Sequence, residues 1–324
     1  METTVGCCTV QLLEKPVFAL AGTHLEELTG GHLGQSARAP VGTHVENSEP
    51  VTFPMLVFYP AQTPEKTERF GPYRIEVAKD APLKDGTFPL VIISHGSGGS
   101  HLVYRTLARY LAQNGFVVGM PEHPFNNRND NSRYGRVVNL IMRPSHLSTA
   151  IDWFYDSEKF GKQLEPDCVS VIGHSLGGYT ALAAAGGVPT SVPKESADGE
   201  PKRLEIETDT RIKSLVLLAP AAVWFRAPGA LSGVNLPILM LVGDLDDLAS
   251  FGFHGQLILN GVPDRSKVEY RIIENAGHFC FLSPFPKAVT HPDFAPSQDP
   301  SGFDREKFLD ELNIEVLEFL RRHT

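Results

Sequence analysis

The sequence has little that would tie the protein to a membrane or to a disulfide framework. Its 324 residues include only four cysteines, Cys7, Cys8, Cys168 and Cys280, and their spacing matches no metal-ligand motif. Cys7 and Cys8 are adjacent and poorly placed to bond one another, so reduced structural thiols are expected. No run of about 18 apolar residues is present, and the N-terminus lacks a basic segment followed by an apolar one. We therefore expect a cytoplasmic protein with no integral membrane segment.

An excess of basic residues is also missing, which disfavours nucleic acid as a partner. The chain carries 38 acidic and 29 basic residues, a formal net charge of −9, and no Lys/Arg run interrupts that acidity. Proteins that bind nucleic acid or anionic membranes usually present a basic patch. The hydrophobic content of 42% is that of an ordinary folded chain. We expect a single domain over residues 1–324, and a homo-oligomer is compatible with this sequence.

The stretch at 169–178, VSVIGHSLGG, organises the predicted fold and site. Its β-branched beginning predicts a buried strand, and the Ala-rich segment 179–185 that follows predicts a helix. A Gly-X-Ser-X-Gly motif between a strand and a helix is a nucleophile elbow, in which glycines let neighbouring backbones approach a strained turn. Ser175 is therefore the candidate nucleophile.

A glycine-rich turn after another buried strand is the candidate oxyanion hole. The continuous apolar run at 89–94 predicts a strand covered on both faces, and HGSGGS follows at 95–100. Acyl-transfer enzymes use backbone N–H groups to hold the tetrahedral oxyanion. We assign the donors to the amides of Ser97 and Leu176, and we expect His95 to brace the loop. The alternatives are that the glycines only permit a tight turn or cradle a phosphate.

Three aspartates compete for the role of catalytic acid. Asp244, Asp246 and Asp247 all follow a predicted strand, from which a carboxylate can reach a histidine and fix its tautomer. The Gly-X-X-Asp spacing that is usual in hydrolases selects Asp246. The other two aspartates are then expected to be solvated or to cap the loop.

The candidate general base is His278, which follows the last predicted strand at 267–273. A histidine on such a loop can fold over the nucleophile. The chain order Ser175, Asp246, His278 is that of the α/β-hydrolase triad and differs from the chymotrypsin and subtilisin orders.

Bulky side chains and two irregular segments are expected around this site. Trp224 and Phe225 follow a predicted strand at 212–220, and ligands of open parallel sheets sit at the carboxyl ends of the strands. Both are candidates for an acyl or leaving-group pocket, with core packing as the alternative. Segments 125–143 and 186–210 are polar or rich in Pro and Gly, and we interpret them as surface insertions or parts of a lid.

The remaining chain is expected to be scaffold. Residues 1–50 predict irregular leading strands, and a polar loop is expected from the end of strand 53–60 to about residue 87. Pro144 is expected to open a helix, and the amphipathic tail 304–321 to cover the sheet. Three polar side chains are interpreted as satisfied structural groups: Glu122, His123 and His146.

These motifs together resemble those of α/β-hydrolases. The narrower resemblance is to bacterial predicted dienelactone hydrolases and to platelet-activating-factor acetylhydrolases, through VFYPA, ISHGSGGS, GHSLGG, LVGDLDD, AGHFCFLSP and PSGFDREKF, and it extends from about residue 53 to the end of the chain. The resemblance implies a mostly parallel central sheet flanked by helices, and carboxylic ester hydrolysis without metal or cofactor. True dienelactone hydrolases use a cysteine nucleophile, whereas this chain has Ser175 at that position.

The leading hypothesis is a serine esterase that acts on a small-molecule ester with a small or medium acyl group, lactones included. A second hypothesis keeps the triad and changes the reaction to amide or peptide hydrolysis, or to acyl transfer to an alcohol. A third treats the chain as a ligand-binding module on a hydrolase fold. The complete Ser, His and Asp set argues against the third hypothesis.

Overall fold

A computed structural model describes residues 3–15 and 51–324. Within these ranges the strands are β1 (Thr4–Leu13), β2 (Thr52–Ala61), β3 (Lys66–Phe70), β4 (Tyr73–Lys79), β5 (Phe88–Ser94), β6 (Val117–Pro121), β7 (Leu164–His174), β8 (Ile212–Leu218), β9 (Ile238–Gly243) and β10 (Val268–Ile273). The α-helices are α1 (Arg105–Gln113), α2 (Val137–Asp156), α3 (Leu176–Ala184), α4 (Gln256–Gly261) and α5 (Arg305–His323). Most of the N-terminal segment predicted at 1–50 lies outside the described residues.

The described strands form one sheet in the order β10-β9-β8-β7-β5-β6-β2-β1-β4-β3. The strands β5 to β10 pair in parallel. All of them except the edge strand β10 are largely buried and apolar on both faces. In β5, for example, Leu90 and Ile92 join one core cluster, while Val91 and Ile93 join the other. Helices α2, α3 and α4 cover the first face, and α1 and α5 cover the second. The predicted architecture, a mostly parallel sheet flanked by helices, is confirmed.

The C-terminal helix α5 covers the sheet as its amphipathic pattern predicts. Asp304 caps its N-terminus by accepting a hydrogen bond from the Lys307 amide at 3.1 Å. Its apolar stripe, Phe308, Leu312 and Val316, is buried in the second core cluster. The helix therefore encloses the apolar face of the parallel strands on that side.

The sheet has a switch point between β5 and β7. After β5 the chain continues to β6 on one side, whereas β7 pairs with β5 on the other side. At such a point the loops that follow the two strands separate and leave a crevice at their carboxyl ends, where ligands of open α/β sheets bind. The glycine-rich loop follows β5 and Ser175 follows β7, so the topology brings the two predicted elements together.

The N-terminal part of the sheet differs in two ways from its prediction where the structure describes it: the leading strand is present but regular, and the expected loop contains a hairpin. Strand β1 is regular and pairs with β2 over its whole length. The expected loop after β2 contains the hairpin β3–β4, with Gly71 at φ 56° in its turn. The alternation of buried Tyr73, Ile75 and Val77 with exposed residues in YRIEVAK was the signal for β4.

Pro144 does not open a helix but lies inside α2. Because proline has no N–H, the carbonyl of Leu140, four residues earlier, receives no hydrogen bond from position 144. The hydroxyl of Tyr179, on helix α3, donates to that carbonyl at 3.0 Å instead. The segment predicted as a surface insertion at 125–143 is therefore a loop only as far as residue 136.

All four cysteines are free, as expected, and Cys7 and Cys280 are buried. Burial raises the pKa of both thiols to about 12. They are therefore protonated at neutral pH, and they behave as packing groups. In the described ranges, no helix has both the length and the apolar character required to cross a bilayer.

Candidate active site

Ser175 has the backbone of a nucleophile elbow. It lies between β7 and α3 with φ 54° and ψ −119°, a conformation that residues with a side chain rarely adopt. A Cβ placed on Gly173 would lie 2.2 Å from the Gly177 carbonyl oxygen, and one on Gly177 would lie 2.0 Å from the Ser94 carbonyl oxygen. The two glycines are therefore required by close contacts of backbone with backbone.

Asp246 holds His278 by a buried hydrogen bond. His278 Nδ1 donates to Asp246 Oδ2 at 2.8 Å, and Asp246 Oδ1 accepts from the amides of Leu248 and Ala249 at 2.9 and 2.8 Å. Burial raises the pKa of the Asp246 carboxyl, but the hydrogen bonds from His278 and the two amides outweigh it and leave the pKa below its ordinary value. The carboxylate is therefore ionised at neutral pH.

The structure separates the three candidate aspartates by burial. Asp246 is 4% exposed, whereas Asp244 and Asp247 are exposed to solvent. Within the described chain, the hydrogen bond from the His278 ring to a carboxylate goes to Asp246. Since that bond occupies Nδ1, Nε2 is the ring nitrogen that remains for a reacting group.

Ser175 and His278 line the same cavity, which has a volume of about 190 Å³ and includes the loop 96–100. No hydrogen bond joins Ser175 Oγ to His278 Nε2 among the contacts of the described residues. Such contacts are often long in enzymes without substrate and tighten in the complex. The arrangement places a serine, an imidazole and a glycine-rich loop around one space.

His95 fixes the peptide that carries the Ser97 amide. His95 Nδ1–H donates to the Gly96 carbonyl at 2.7 Å, and the Gly99 amide donates to the same oxygen at 3.1 Å. Because a trans peptide is planar, the Ser97 N–H points away from this clamped carbonyl. His95 Nε2 accepts from the His123 amide at 3.0 Å, which fixes the tautomer. Burial holds the His95 pKa well below its ordinary value, so the ring is neutral.

The amide of Leu176 is free for a different reason. Leu176 is the first residue of α3, where an N–H has no acceptor inside the helix. In the described part of the structure, neither this amide nor that of Ser97 is seen bonded to a protein acceptor. Both residues line a second cavity that Ser175 also reaches. Two N–H groups thus remain available on residues that line one cavity with the nucleophile.

A buried network that sequence reasoning missed connects the glycine loop to the base. His174 Nε2–H donates to the His278 carbonyl at 2.9 Å, and His174 Nδ1 accepts from the Tyr104 hydroxyl at 2.9 Å. The Gly96 amide makes a long contact of 3.4 Å with the same hydroxyl. Burial, with His278 nearby, lowers the pKa of His174 to about 3. The neutral ring therefore bridges the two loops.

A second missed residue, Arg143, is completely buried behind the glycine loop. Its guanidinium donates to Thr180 Oγ1 at 2.9 Å, to Asn126 Oδ1 at 2.7 Å and to the His95 carbonyl. Asn126 Nδ2 in turn donates to Ser97 Oγ at 3.0 Å. Burial lowers the Arg143 pKa to about 9, so the side chain is still charged at neutral pH. A single arginine in a helix carries no sequence signal for this position.

The three polar groups interpreted as structural are all hydrogen-bonded within the protein. His123 bonds to Ser94 Oγ at 2.9 Å and to His146 Nδ1 at 3.1 Å. His146 Nε2 bonds to Glu14 at 2.8 Å, and Glu122 pairs with His101 at 3.2 Å. None of the three lines either cavity that Ser175 reaches.

The structure divides the predicted pocket pair. Trp224 lines the second cavity, which has a volume of about 790 Å³, and its Nε1–H donates to the Glu195 carboxylate at 2.9 Å. Phe225 is buried, stacks on Tyr179 with ring centroids 5.6 Å apart, and lines neither cavity that Ser175 reaches. The core-packing alternative therefore holds for Phe225.

Both irregular segments border the site. Arg128 lines the smaller cavity, and Tyr134 lines the larger one together with Pro193 and Glu195. A lid formed by these segments stays a prediction. Within residues 3–15 and 51–324, no three His, Cys, Asp or Glu side chains are grouped so that they could hold a metal ion.

Comparisons with known proteins agree with this fold. A family model described as the alpha/beta hydrolase fold matches residues 89–233. Platelet-activating factor acetylhydrolases from Canis lupus familiaris and Bos taurus are 24% and 25% identical over 159 and 157 residues. These matches cover 36% and 35% of this chain, and also only 36% and 35% of the relatives' own length. The matched family region includes Ser175 but ends before Asp246.

One further relative and one solved structure cover more of the chain. Cutinase est1 from Thermobifida alba is 22% identical over 202 residues, 61% of this chain and 56% of the relative. The solved structure of a ferulic acid esterase from Streptomyces cinnamoneus superposes with a TM-score of 0.65 at 16% identity, covering 99% of this chain and 90% of that one. The chain thus has an α/β-hydrolase fold, and the predicted likeness to platelet-activating-factor acetylhydrolases is confirmed.

Proposed function

We propose that the protein is a serine hydrolase that cleaves carboxylic esters through an acyl-enzyme. The observation that carries the proposal is the meeting of Ser175, on its strained turn, and the Asp246-bonded His278 at one cavity. The names of the relatives, acetylhydrolase, cutinase and esterase, support a carboxylic ester as the substrate.

In the first half-reaction His278 Nε2 takes the proton of Ser175 Oγ as the oxygen attacks the ester carbonyl. The amides of Ser97 and Leu176 hold the negative charge that forms on the carbonyl oxygen; each such donor contributes on the order of 10²- to 10³-fold in rate. Asp246 keeps the proton of the imidazole on Nδ1 and stabilises the imidazolium. His278 then gives its proton to the leaving alcohol oxygen.

In the second half-reaction water replaces the alcohol. His278 takes a proton from the water as it attacks the acyl carbon. When the second tetrahedral intermediate collapses, His278 gives this proton to Ser175 Oγ, which leaves as the free hydroxyl, and the acid is released. A lactone presents the same carbonyl and leaving oxygen in one molecule, so lactones belong to the proposed substrates. The cytoplasmic location stays a prediction.

The test is hydrolysis of p-nitrophenyl esters from acetate to palmitate, with intact-mass detection of a fluorophosphonate adduct. We expect Ser175→Ala to abolish the adduct and to lower kcat by about 10⁶-fold, as loss of a triad nucleophile does elsewhere. The matched control is Ser97→Ala, because Ser97 lines both cavities with Ser175 but contributes its backbone amide. This variant should still form the adduct.

Folded wild-type protein that hydrolyses no ester and forms no adduct would refute the proposal. An adduct that survives in Ser175→Ala would place the nucleophile elsewhere.

A further inference from the structure

Ser175 lies between two cavities that differ in size and in lining. Ser97 and Ser175 reach both. The smaller cavity, of about 190 Å³, also contains His278, whereas the larger one, of about 790 Å³, contains Leu176 but not His278. The acid–base group and one of the proposed oxyanion donors are therefore on different sides of the nucleophile.

This asymmetry fixes the direction in which an ester binds, if the proposed function holds. During acylation the oxygen of the leaving alcohol must take the proton that His278 Nε2 carries. That oxygen, and the alcohol group attached to it, must then lie on the side of His278. The acyl chain leaves the carbonyl carbon in a different direction and extends to the other side, into the cavity bordered by Leu176.

The lining of the smaller cavity suits a compact apolar alcohol. Three phenylalanines, Phe279, Phe285 and Phe294, lie in its wall together with Leu282 and Val103. The glycine loop and Arg128 supply the polar part of the lining. Phe285 and Phe294 meet edge to face with centroids 5.3 Å apart. A cavity of roughly 150 Å³ holds one benzene molecule in another protein. The space next to His278 is therefore large enough for one aromatic ring.

The larger cavity is mixed in character. Trp224 forms an apolar wall that is tied to Glu195, while Tyr134 and Arg226 lie at its exposed rim. His254 also lines it; its Nδ1 accepts from the Ala222 amide at 2.9 Å, so its Nε2 carries the proton and can donate to a polar group. An acyl group with a long or partly polar chain fits this environment.

We propose that the His278 cavity binds the alcohol part of the substrate and the Trp224 cavity binds the acyl part. The substrate class is then an ester of a compact apolar or aromatic alcohol with a larger acid. This assignment rests on the proposed esterase function. It goes beyond that function because it states which cavity selects the alcohol and which cavity selects the acyl group.

The test uses two ester series on two matched variants. One series keeps butyrate and changes the alcohol from phenol to 2-naphthol, and the other keeps p-nitrophenol and lengthens the acid from acetate to octanoate. Phe294→Ala and Trp224→Ala each remove one half-buried aromatic wall, from the smaller and the larger cavity respectively. Unfolding midpoints confirm that both variants fold.

We expect Phe294→Ala to raise the 2-naphthyl to phenyl ratio of kcat/KM by at least about 10-fold, since pocket volume discriminates by this amount. Its acyl-length profile should be unchanged. Trp224→Ala should shift the acyl-length profile and leave the alcohol ratio unchanged. Phe285→Ala and Tyr134→Ala provide a second variant for each cavity.

Swapped responses in active variants, or profiles that stay unchanged in both, overturn the assignment and leave the esterase intact. A wild type that hydrolyses neither series overturns the esterase proposal and the assignment with it.

Discussion

The backbone around Ser175 and the loops that carry Asp246 and His278 are held in different ways. At the elbow, residues 173–177, the geometry follows from close backbone contacts that leave no room for a Cβ on Gly173 or Gly177. At the acid–base pair it follows from directed hydrogen bonds to the Asp246 carboxylate. A substitution that adds a side chain at a glycine should therefore disrupt the elbow. A substitution that removes the carboxylate charge should disrupt the acid–base pair.

Among the variants that test this comparison, Asp246→Asn should have the largest effect, and it alters the pair without changing its shape. We expect kcat to fall by about 10⁴-fold, because an amide cannot fix the imidazole tautomer. The free energy of unfolding should fall by only about 1.5–3 kcal/mol, the usual value for a lost hydrogen bond to a charged group. Steady-state kinetics and urea unfolding measure the two quantities.

The matched control for this prediction is Asp244→Asn, at an exposed neighbouring aspartate. It should retain activity and change the free energy of unfolding by less than about 0.5 kcal/mol. Equal losses of kcat in the two variants would mean that Asp246 is not the acid.

Gly177→Ala, in the elbow, should lower both the free energy of unfolding and the activity. Its new Cβ would meet the Ser94 carbonyl oxygen at 2.0 Å, and neither backbone can move without distorting the elbow. We expect about 3 kcal/mol of destabilisation, and at least about 100-fold lower kcat/KM because a displaced nucleophile loses its alignment. Urea unfolding and esterase kinetics check this.

Gly252→Ala is the control, because a Cβ at this position meets no atom within 4 Å. It should be close to the wild type in both measurements. If Gly177→Ala were equally silent, the elbow would not depend on close backbone packing.

The smallest effect concerns His174, which ends the elbow strand and donates to the His278 carbonyl, so that it joins the two halves. Its pKa is lowered from 6.5 to about 3 in the folded state, so between these values the unfolded chain binds more protons. The free energy of unfolding should therefore rise with pH across this window, and the contribution of His174 should be lost as the pH falls towards 3. One such group contributes about 1.4 kcal/mol per pH unit.

His174→Asn should reduce that slope by about this amount in urea unfolding from pH 6 to pH 4. The matched control is His291→Asn, at a side chain that is 66% exposed to solvent. A slope identical in wild type and His174→Asn would show that His174 is not held neutral in the folded protein.

The parts of the molecule that could be predicted are those whose cause is local in sequence. The elbow requires glycine at fixed spacing around Ser175, and buried parallel strands require continuous apolar runs, so both leave a direct pattern. The bridge from Tyr104 through His174 to the His278 carbonyl joins residues 70 and 104 positions apart. Its partners are set by the sheet order, which no short motif records.

The misplaced elements have equally specific causes. Proline favours the first turn of a helix, so Pro144 predicts a helix start. In the structure a tyrosine from another helix donates to the carbonyl that lacks a partner, and the proline is accommodated inside α2. The role of Phe225 could not be separated from that of Trp224 by residue type, since only the direction of each side chain differs. Packing across the sheet decides such cases.

The Leu140 carbonyl inside α2, which has no N–H partner at position 144, also influences the larger cavity beside Ser175. The hydroxyl of Tyr179 is anchored on Leu140, and the ring of the same tyrosine lies edge to face with that of Trp224, with centroids 4.8 Å apart. Because Pro144 has no amide hydrogen, the Leu140 carbonyl is left to bond Tyr179, and this bond fixes the ring against which Trp224 packs. A substitution of Pro144 should therefore change the shape of the larger cavity beside Ser175, although Pro144 lines neither cavity itself.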